Sequence, residues 1–336
     1  MAPPAHEDYS IAWICALPVE VAAATAMLDE IHETPPPKPI NDPNAYTLGK
    51  LNGHLVVIAC LPNGIYGTVS AATVMSHLYS TFPHIQFALM VGIGGGVPSK
   101  ENDIRLGDVV VSKPTGQHSG VIQYDYGKAV QGGHFENTGK LNSPPLNLLT
   151  RINQLEADQM KKTDDAISII VQNALERNPD MKRRFTPPNQ DTDYLFFSSY
   201  HHHDKQDNCA KCDKTQMVYR QPRYTREPQI HYGLIASGDR VMKDSETRDR
   251  LAKQLGIICF EMEAAGLMNQ LPTLVIRGIC DYCDSHKQKR WQAYSALSAA
   301  AYAKKLLKGV SVYTRSKSND KKVCTADSLS KMIFSG

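Results

Sequence analysis

Short apolar runs alternate with longer helical patterns along most of the chain, and this alternation restricts the fold more than any other feature of the sequence. The runs that predict β-strands are 10–16, 55–59, 87–91, 108–112, 232–236, 256–260 and 273–279. The patterns that predict helices are 19–28, 68–80, 141–155, 244–255, 262–271 and 291–307. Such an order predicts one α/β domain, a three-layer sandwich with a central mixed β-sheet flanked by helices.

The chain of 336 residues is long enough for one domain with a substantial core. We predict that this domain covers residues 9–309. Residues 158–227 are polar and basic and contain Pro187 and Pro188, a histidine run and a cysteine pair, so they are predicted to be an insertion. Residues 310–336 are polar and are predicted to form a disordered tail.

Charge and hydropathy exclude two classes of partner. The net charge is +3, and the basic residues are spread among acids, which argues against nucleic-acid binding. Apolar runs do not reach the ~20 residues that a membrane span needs, and the first residues do not resemble a signal segment. Cys15, Cys60, Cys259 and Cys280 lie in apolar runs, as reduced core thiols do, so we expect a cytosolic or nuclear compartment, with the cytoplasm favoured.

Isolated acidic residues follow the apolar strands. Glu20 comes after the first predicted strand, Glu261 and Glu263 after the sixth, and Asp281 after the seventh. Buried acids are unfavourable unless they are paired or used in chemistry. Because ligands of α/β sheets bind beyond the carboxyl ends of strands, Glu20, Glu263 and Asp281 are expected to meet in one cleft. The glycine-rich stretch 92–96 is expected to be a turn at the same edge.

Five motifs in a fixed order make the chain similar to a known family. They are Met-Glu-Ala-Ala at 262–265, Val-Ile-Arg-Gly-Ile-Cys-Asp at 275–281, Gly-x-Gly-Gly-Gly at 92–96, and Gly-Asp-Val-Val-Val at 107–111 with Gly-Leu-Ile-Ala-Ser-Gly-Asp at 233–239. Together they resemble the purine nucleoside phosphorylase and methylthioadenosine nucleosidase superfamily, over 9–307 without the 158–227 insertion. Residues 259–267 and 276–291 most resemble the nucleoside-phosphorylase-like domain of fungal NLR-type proteins.

The resemblance implies a role for each acid. Glu263 would accept hydrogen bonds from the 2′ and 3′ hydroxyls of a ribose, and Met262 would pack under the sugar. Asp281 would protonate N7 of the departing purine, which an apolar setting of the side chain would favour. Cleavage of the N-glycosidic bond builds positive charge on the sugar and negative charge on the base, so a carboxylate and an acid suit these positions. For Glu263, the alternative is a buried salt bridge with Arg277.

Several further residues are expected to lie around the base and the sugar. Val241 and Met242 are expected to line the base pocket, and Gly92 and Ile93 are expected to lie beside the substrate. Glu261 is expected to be structural or to face the solvent.

The choice between hydrolysis and phosphorolysis depends on what surrounds the sugar. In phosphorylases of the family, arginines and a serine bind phosphate; the matching positions here are Met90 and Ile93. Glu20 matches the glutamate that activates water in nucleosidases, and Arg277 matches an arginine that helps to hold that water. Alternatively, Glu20 is an acid in the first turn of a helix, favoured by the helix dipole. We predict a purine nucleosidase with adenosine as the preferred substrate.

Two other functions remain open: a phosphate-dependent phosphorylase and a non-catalytic module that senses nucleosides. A pure binding module would not need an acid at N7. The enzyme is expected to need no cofactor and to form a homo-oligomer.

The insertion contains a weak metal motif. His203, Cys209 and Cys212 have a spacing that suits zinc, although a closed structural site needs four ligands. A pair of thiols or a disulfide explains the same cysteines equally well. In the segment after Asp281, His286 and Lys287 are predicted either to order a loop over the base or to cap the last helix.

Overall fold

The computed structural model describes residues 4–32, 37–131, 134–161, 166–202 and 209–312. Most of the predicted tail, from residue 313 onward, lies outside the described residues. Over the described part, the predicted α/β architecture is confirmed: a mixed β-sheet with helices packed against it forms a single domain.

Twelve β-strands and seven α-helices are present in the described residues. The strands are β1 (Ile11–Cys15), β2 (Glu30–Ile31), β3 (Tyr46–Leu51), β4 (His54–Cys60), β5 (Phe87–Gly96), β6 (Val109–Ser112), β7 (Val121–Gln123), β8 (Gly127–Val130), β9 (His134–Asn137), β10 (Ile230–Ser237), β11 (Ile257–Glu261) and β12 (Thr273–Asp281). The helices are α1 (Pro18–Met27), α2 (Thr68–Thr81), α3 (Leu146–Lys161), α4 (Ile167–Arg177), α5 (Lys182–Phe185), α6 (Ser245–Leu255) and α7 (Gln292–Leu307).

The main sheet has the strand order β11-β10-β6-β12-β5-β1-β4-β3-β2, with β7 paired to β10. Strand β1 runs parallel to both β4 and β5, and β5 runs parallel to β12. Strand β6 runs antiparallel to β12. At one end, β11 also pairs antiparallel with the end of β5, through Cys259 and Gly96. A ring of strands therefore closes in the order β5, β12, β6, β10 and β11. The predicted active-site residues other than Glu20 lie on these strands or in the segments that follow them.

The last helix, α7, forms the centre of the helical layer. It packs against β12 and β5 on one side and against α1 and α4 on the other. Most of its side chains are buried, and half of them are Ala or Ser. Gly278 of β12 makes this contact close, because a Cβ atom there would lie 1.8 Å from the carbonyl oxygen of Ser295. The short side chains thus bring the helix against the strand that ends at Asp281.

Two predicted local structures are wrong. The strand β5 continues through the glycines to Gly96 instead of turning, because β12 pairs with it along that whole length. The predicted helix 262–271 is reduced to turns around the single 3-10 helix Ala264–Gly266. This turn is pressed against α2, since a Cβ atom on Gly266 would lie 1.9 Å from the carbonyl oxygen of Thr68. In both cases, contacts with distant parts of the chain determine the local structure.

Part of the predicted 158–227 insertion belongs to the core. The helix α4 buries Ile167, Val171 and Leu175 in the main hydrophobic cluster, and Phe185 of α5 joins them. The polar and basic residues on either side of α4 make this apolar face difficult to recognise in the sequence.

Among the described residues, the model contains no helix that combines the length and the apolar character of a membrane span.

Candidate active site

Arg277, near the end of β12, is buried and surrounded by three carboxylates. Its Nη2 atom donates to Glu261 Oε2 and lies 3.3 Å from Glu263 Oε2. Its Nη1 atom lies 4.0 Å from Glu20 Oε1 and donates to the carbonyl oxygen of Ile93 at 3.3 Å. Burial opposes the charged form of the guanidinium, but the carboxylates outweigh it and raise the pKa of Arg277. One cation thus holds three acids from two parts of the chain.

Glu20 is fixed by backbone groups as well as by Arg277. The N–H groups of Ala16 and Leu17 donate to its Oε2 atom at 2.7 and 2.9 Å, and the N–H of Ile93 donates to Oε1 at 2.8 Å. Burial raises the pKa of Glu20, and Arg277 and the three N–H donors oppose that rise. Glu20 also lies in the first turn of α1, as the alternative prediction stated. This position is compatible with its contact with Arg277.

Gly92 makes the approach of Glu20 to Arg277 possible. A Cβ atom on Gly92 would lie 2.2 Å from Glu20 Oε1 and 2.7 Å from Arg277 Nη1. The neighbouring Ile93 is half-buried and packs against the main core while its N–H holds Glu20. The glycine-rich part of β5 therefore supplies space and a backbone donor.

Glu261 is buried and structural. Its carboxylate accepts hydrogen bonds from the N–H of Glu263 at 3.1 Å and from the N–H of Ala264 at 3.0 Å, in addition to that of Arg277. The expectation that it might face the solvent is wrong, because only 6% of the residue is exposed. Glu261 orients the turn that carries Glu263 and anchors the arginine.

Glu263 has an electrostatic setting unlike that of Glu261. Arg277 Nη2 donates to Glu263 Oε2 at 3.3 Å, and a backbone hydrogen bond from Met262 also favours the charged carboxylate. Burial raises the pKa of Glu263 to about 7; Glu261 and Glu20 add to this rise, and Arg277 opposes it. The salt-bridge alternative from the sequence is therefore present, yet Oε1 keeps its capacity to accept a hydrogen bond from a ligand.

Asp281 ends β12 and is buried in an ionic setting. Its Oδ1 atom accepts from the N–H of Cys283 at 3.0 Å, and its Oδ2 atom lies 3.0 Å from the ammonium nitrogen of Lys287. Although burial opposes it, the Asp281 carboxylate raises the pKa of Lys287. The predicted apolar setting is wrong for this reason. Sequence reasoning named Lys287 only as a loop or cap residue, and spacing alone gave no sign of the pairing.

The other predicted binding residues lie at the margins of this arrangement. Met262 is half-buried between Glu261 and Glu263. Met242 is half-buried and packs against the small hydrophobic cluster that includes Phe260 and Cys283, two residues after Asp281. Val241 is 51% exposed. The structure thus joins Glu20, Gly92, Ile93, Glu263 and Arg277 by direct contact, and leaves Val241 on the surface.

The weak metal motif is only partly within the described residues. His203 lies outside them. The neighbouring His202, rather than His203, has a ring nitrogen grouped with the thiols of Cys209 and Cys212, all within 4.8 Å of one another.

Comparisons with known proteins identify chains that are similar to this one. A relative from Hyaloscypha variabilis, described as a nucleotide-binding leucine-rich repeat (NLR)-like protein, is 49% identical over 303 residues. These are 90% of this chain but only 29% of the length of that relative. A 5′-methylthioadenosine/S-adenosylhomocysteine nucleosidase from Mycobacterium bovis is 22% identical over 310 residues, covering 90% of this chain and 96% of the relative.

A solved structure shows the same fold. The nucleosidase of that same type from S. pneumoniae, solved with a transition-state inhibitor, superposes with a TM-score of 0.56 at 17% identity, over 90% of this chain and 100% of that one. The sequence pattern described as the Phosphorylase superfamily matches residues 10–310. The chain therefore belongs to the phosphorylase superfamily.

Proposed function

We propose that the protein is a purine nucleosidase, which hydrolyses the N-glycosidic bond of a purine nucleoside to free base and ribose, with adenosine as the first substrate to test. The observation that carries this proposal is the position of Glu20. Three backbone N–H groups aim its carboxylate at the end of β5, beside the paired Glu263 and Arg277. A carboxylate held in this way is suited to accept a proton from water.

Each remaining acid has a role in this reaction. Glu263 accepts hydrogen bonds from ribose hydroxyls through Oε1, and its negative charge stabilises the cationic character of the sugar in the transition state. Asp281 directs its carboxyl group to the leaving base, with Lys287 as the neighbouring cation that holds it in place. Glu261 holds Arg277 and the turn at Glu263 in place.

Phosphorolysis is disfavoured by the charge of the site. Arg277 is shared among Glu20, Glu261 and Glu263, so the nearest guanidinium is already neutralised and the group keeps an excess of acidic side chains. A phosphate dianion would be repelled there. Met90, which stands where phosphorylases of the family have an arginine, is fully buried in the core.

The relatives support hydrolysis and also raise an alternative. The relatives from Mycobacterium bovis and S. pneumoniae are named as nucleosidases, which makes 5′-methylthioadenosine a second substrate to test. The NLR-like relative is far longer than this chain, which keeps open a non-catalytic nucleoside-sensing module. The buried acids Glu20, Glu263 and Asp281 favour catalysis, because burying them is costly for a protein that only binds.

The decisive experiment is an incubation of the purified chain with adenosine, inosine, guanosine and 5′-methylthioadenosine, with and without phosphate. Hydrolysis predicts free base and free ribose (or methylthioribose) in phosphate-free buffer, and a Glu20→Gln variant serves as the inactive control. Strict dependence on phosphate with a sugar 1-phosphate as product would establish the phosphorylase instead. Binding of a nucleoside without turnover under either condition would establish the sensing module.

The expected homo-oligomer and the cytoplasmic location are also part of this proposal. Three large apolar side chains at the start of α2 are exposed, Ile65 by 60%, Tyr66 by 47% and Val69 by 76%, and a second copy would cover them. Light scattering of the purified chain, compared with a Val69→Lys variant, tests the oligomer. The proposed reaction needs no cofactor.

A further inference from the structure

A second group of possible ligands lies outside the proposed active site, in the segment between α5 and β10. The ligand atoms of His202, Cys209 and Cys212 all lie within 4.8 Å of one another. Cys209 is buried, and the other two residues are half-buried. Two thiols and an imidazole form a donor set that favours zinc over the hard cations, which prefer oxygen ligands.

Hydrogen bonds that do not involve the ligand atoms hold these three side chains close together. The N–H of Cys212 donates to the carbonyl oxygen of Cys209 at 3.2 Å and closes the turn between the two thiols. Lys214 Nζ donates to the same carbonyl oxygen at 2.8 Å. The N–H of Asp213 donates to the hydroxyl of Tyr200 at 2.9 Å, which ties the turn to the stretch that carries His202. The three side chains are therefore brought together by the fold of this segment.

The same segment is attached to the loop that follows Asp281. The N–H of His202 donates to Ser285 Oγ at 2.9 Å, and Cys209 Sγ lies 3.7 Å from the carbonyl oxygen of His286. The ring centroid of His286 lies 5.4 Å from that of His202, so a second imidazole adjoins the three donors. One residue further along, Lys287 makes its ion pair with Asp281.

Regular secondary structure does little to stabilise the segment. Between α5 and β10, the described residues form two single-turn 3-10 helices, Gln190–Thr192 and Lys214–Gln216, and one isolated bridge between Phe196 and Met217. Irregular segments with a small core of their own are commonly stabilised by a metal ion or a disulfide. Cys209 and Cys212 are free thiols whose sulfur atoms lie close together.

We propose that His202, Cys209 and Cys212 bind a zinc ion that holds this segment against the loop carrying Ser285, His286 and Lys287. Binding displaces the thiol protons; the two thiolates and the neutral imidazole become three ligands, and a solvent molecule completes the four-coordinate shell. The zinc has no part in cleaving the nucleoside. Its function is structural: it fixes the loop from which Lys287 reaches Asp281.

The test is the metal content of the full chain, purified under reducing conditions without chelator or added metal. We expect zinc in an amount equal to that of the chain. A His202→Ala variant and a Cys209→Ser/Cys212→Ser double variant should lose it. The matched controls His201→Ala, which changes the exposed neighbouring histidine, and Cys60→Ser, which changes a half-buried thiol elsewhere, should keep it.

A second measurement covers variants that fail to fold. Wild-type chain stripped of metal under reducing conditions is titrated with Co²⁺, and the visible absorption of a tetrahedral thiolate site is expected to appear and to be displaced by Zn²⁺. The proposal is overturned if the wild type contains no zinc and the reduced chain gives no such absorption, or if the reduced His202→Ala variant binds Co²⁺ as the wild type does. A Cys209–Cys212 disulfide in a chain that binds no metal after reduction overturns it equally. These readouts do not depend on nucleosidase activity, so they stand whether or not the proposed function holds.

Discussion

The ammonium group of Lys287 lies 3.0 Å from the carboxylate of Asp281, with 31% of the lysine side chain and only 3% of the aspartate side chain exposed. This pair replaces the apolar setting that the sequence suggested for the acid. Lys287 follows Asp281 by six residues through a loop that turns back on itself, and the N–H of Cys283 also donates to the same carboxylate. The position of the carboxylate that we propose faces the leaving base therefore depends on the loop.

Lys287→Met is expected to lower kcat by roughly 10²-fold, because it removes the cation that positions Asp281 and leaves the buried acid without its partner. Lys287→Arg keeps the charge and should retain much of the activity. The measurement is the pH profile of kcat for both variants, since a merely structural lysine would change stability and leave the profile in place. Equal rates and equal profiles for Lys287→Met and wild type would contradict the prediction.

Glu263→Gln is expected to lose on the order of 10²–10³ in kcat/KM, because a neutral amide does not stabilise a cationic sugar. The variant should nevertheless be stable. Burial raises the pKa of Glu263 to about 7 in the folded protein, so the folded state binds more protons than the unfolded state between the ordinary glutamate pKa and about 7. The contribution of Glu263 to stability is therefore present at low pH and is lost as pH rises through that window.

Thermal unfolding at two pH values checks the sign of this effect. At about pH 8 the glutamine variant, which has no charge to bury, should unfold at the same or a higher temperature than wild type. At about pH 5, where Glu263 is protonated, the two proteins should differ little. A variant that is destabilised at about pH 8 would contradict this sign and show that the ionised carboxylate stabilises the folded state.

The sequence predicted the sheet better than the site. Strands such as β1 and β12 are buried on both faces and read as continuous apolar runs, so their positions were predicted within about two residues. The ion cluster was harder to predict, because Glu20 and Arg277 are far apart in the chain. The pairing of β1 with β5 and of β5 with β12 brings them together. Glu261 looks like Glu263 in sequence, and only the direction of its side chain toward the N–H of Ala264 reveals its structural role.

Gly92→Ala is expected to abolish most of the activity although it adds only one methyl group. That methyl group would lie 2.2 Å from Glu20 Oε1 and 2.7 Å from Arg277 Nη1, so one of the two side chains must move. Gly256→Ala is the control, because Gly256 ends α6 in a left-handed conformation with no heavy atom near its would-be Cβ. The control should cost about 1 kcal/mol of stability through backbone strain and leave kcat unchanged. Full activity of Gly92→Ala would show that the position of Glu20 is not critical.

The last prediction separates the roles of Glu20 and Asp281. Glu20→Gln leaves a side chain of the same shape that accepts no proton from water, so substrate binding should persist while turnover falls by roughly 10²–10⁴-fold. Asp281→Asn should show a loss in the same range with natural nucleosides, because the amide cannot relay a proton from the neighbouring Lys287 ammonium to the base. A nucleoside analogue whose leaving group departs without protonation, such as a nitrophenyl riboside, distinguishes the two. It should restore turnover by the Asp281→Asn variant, which still has its water-activating carboxylate, and should not restore turnover by Glu20→Gln. Rescue of both variants, or of neither, would mean that the base and the acid have been assigned to the wrong residues.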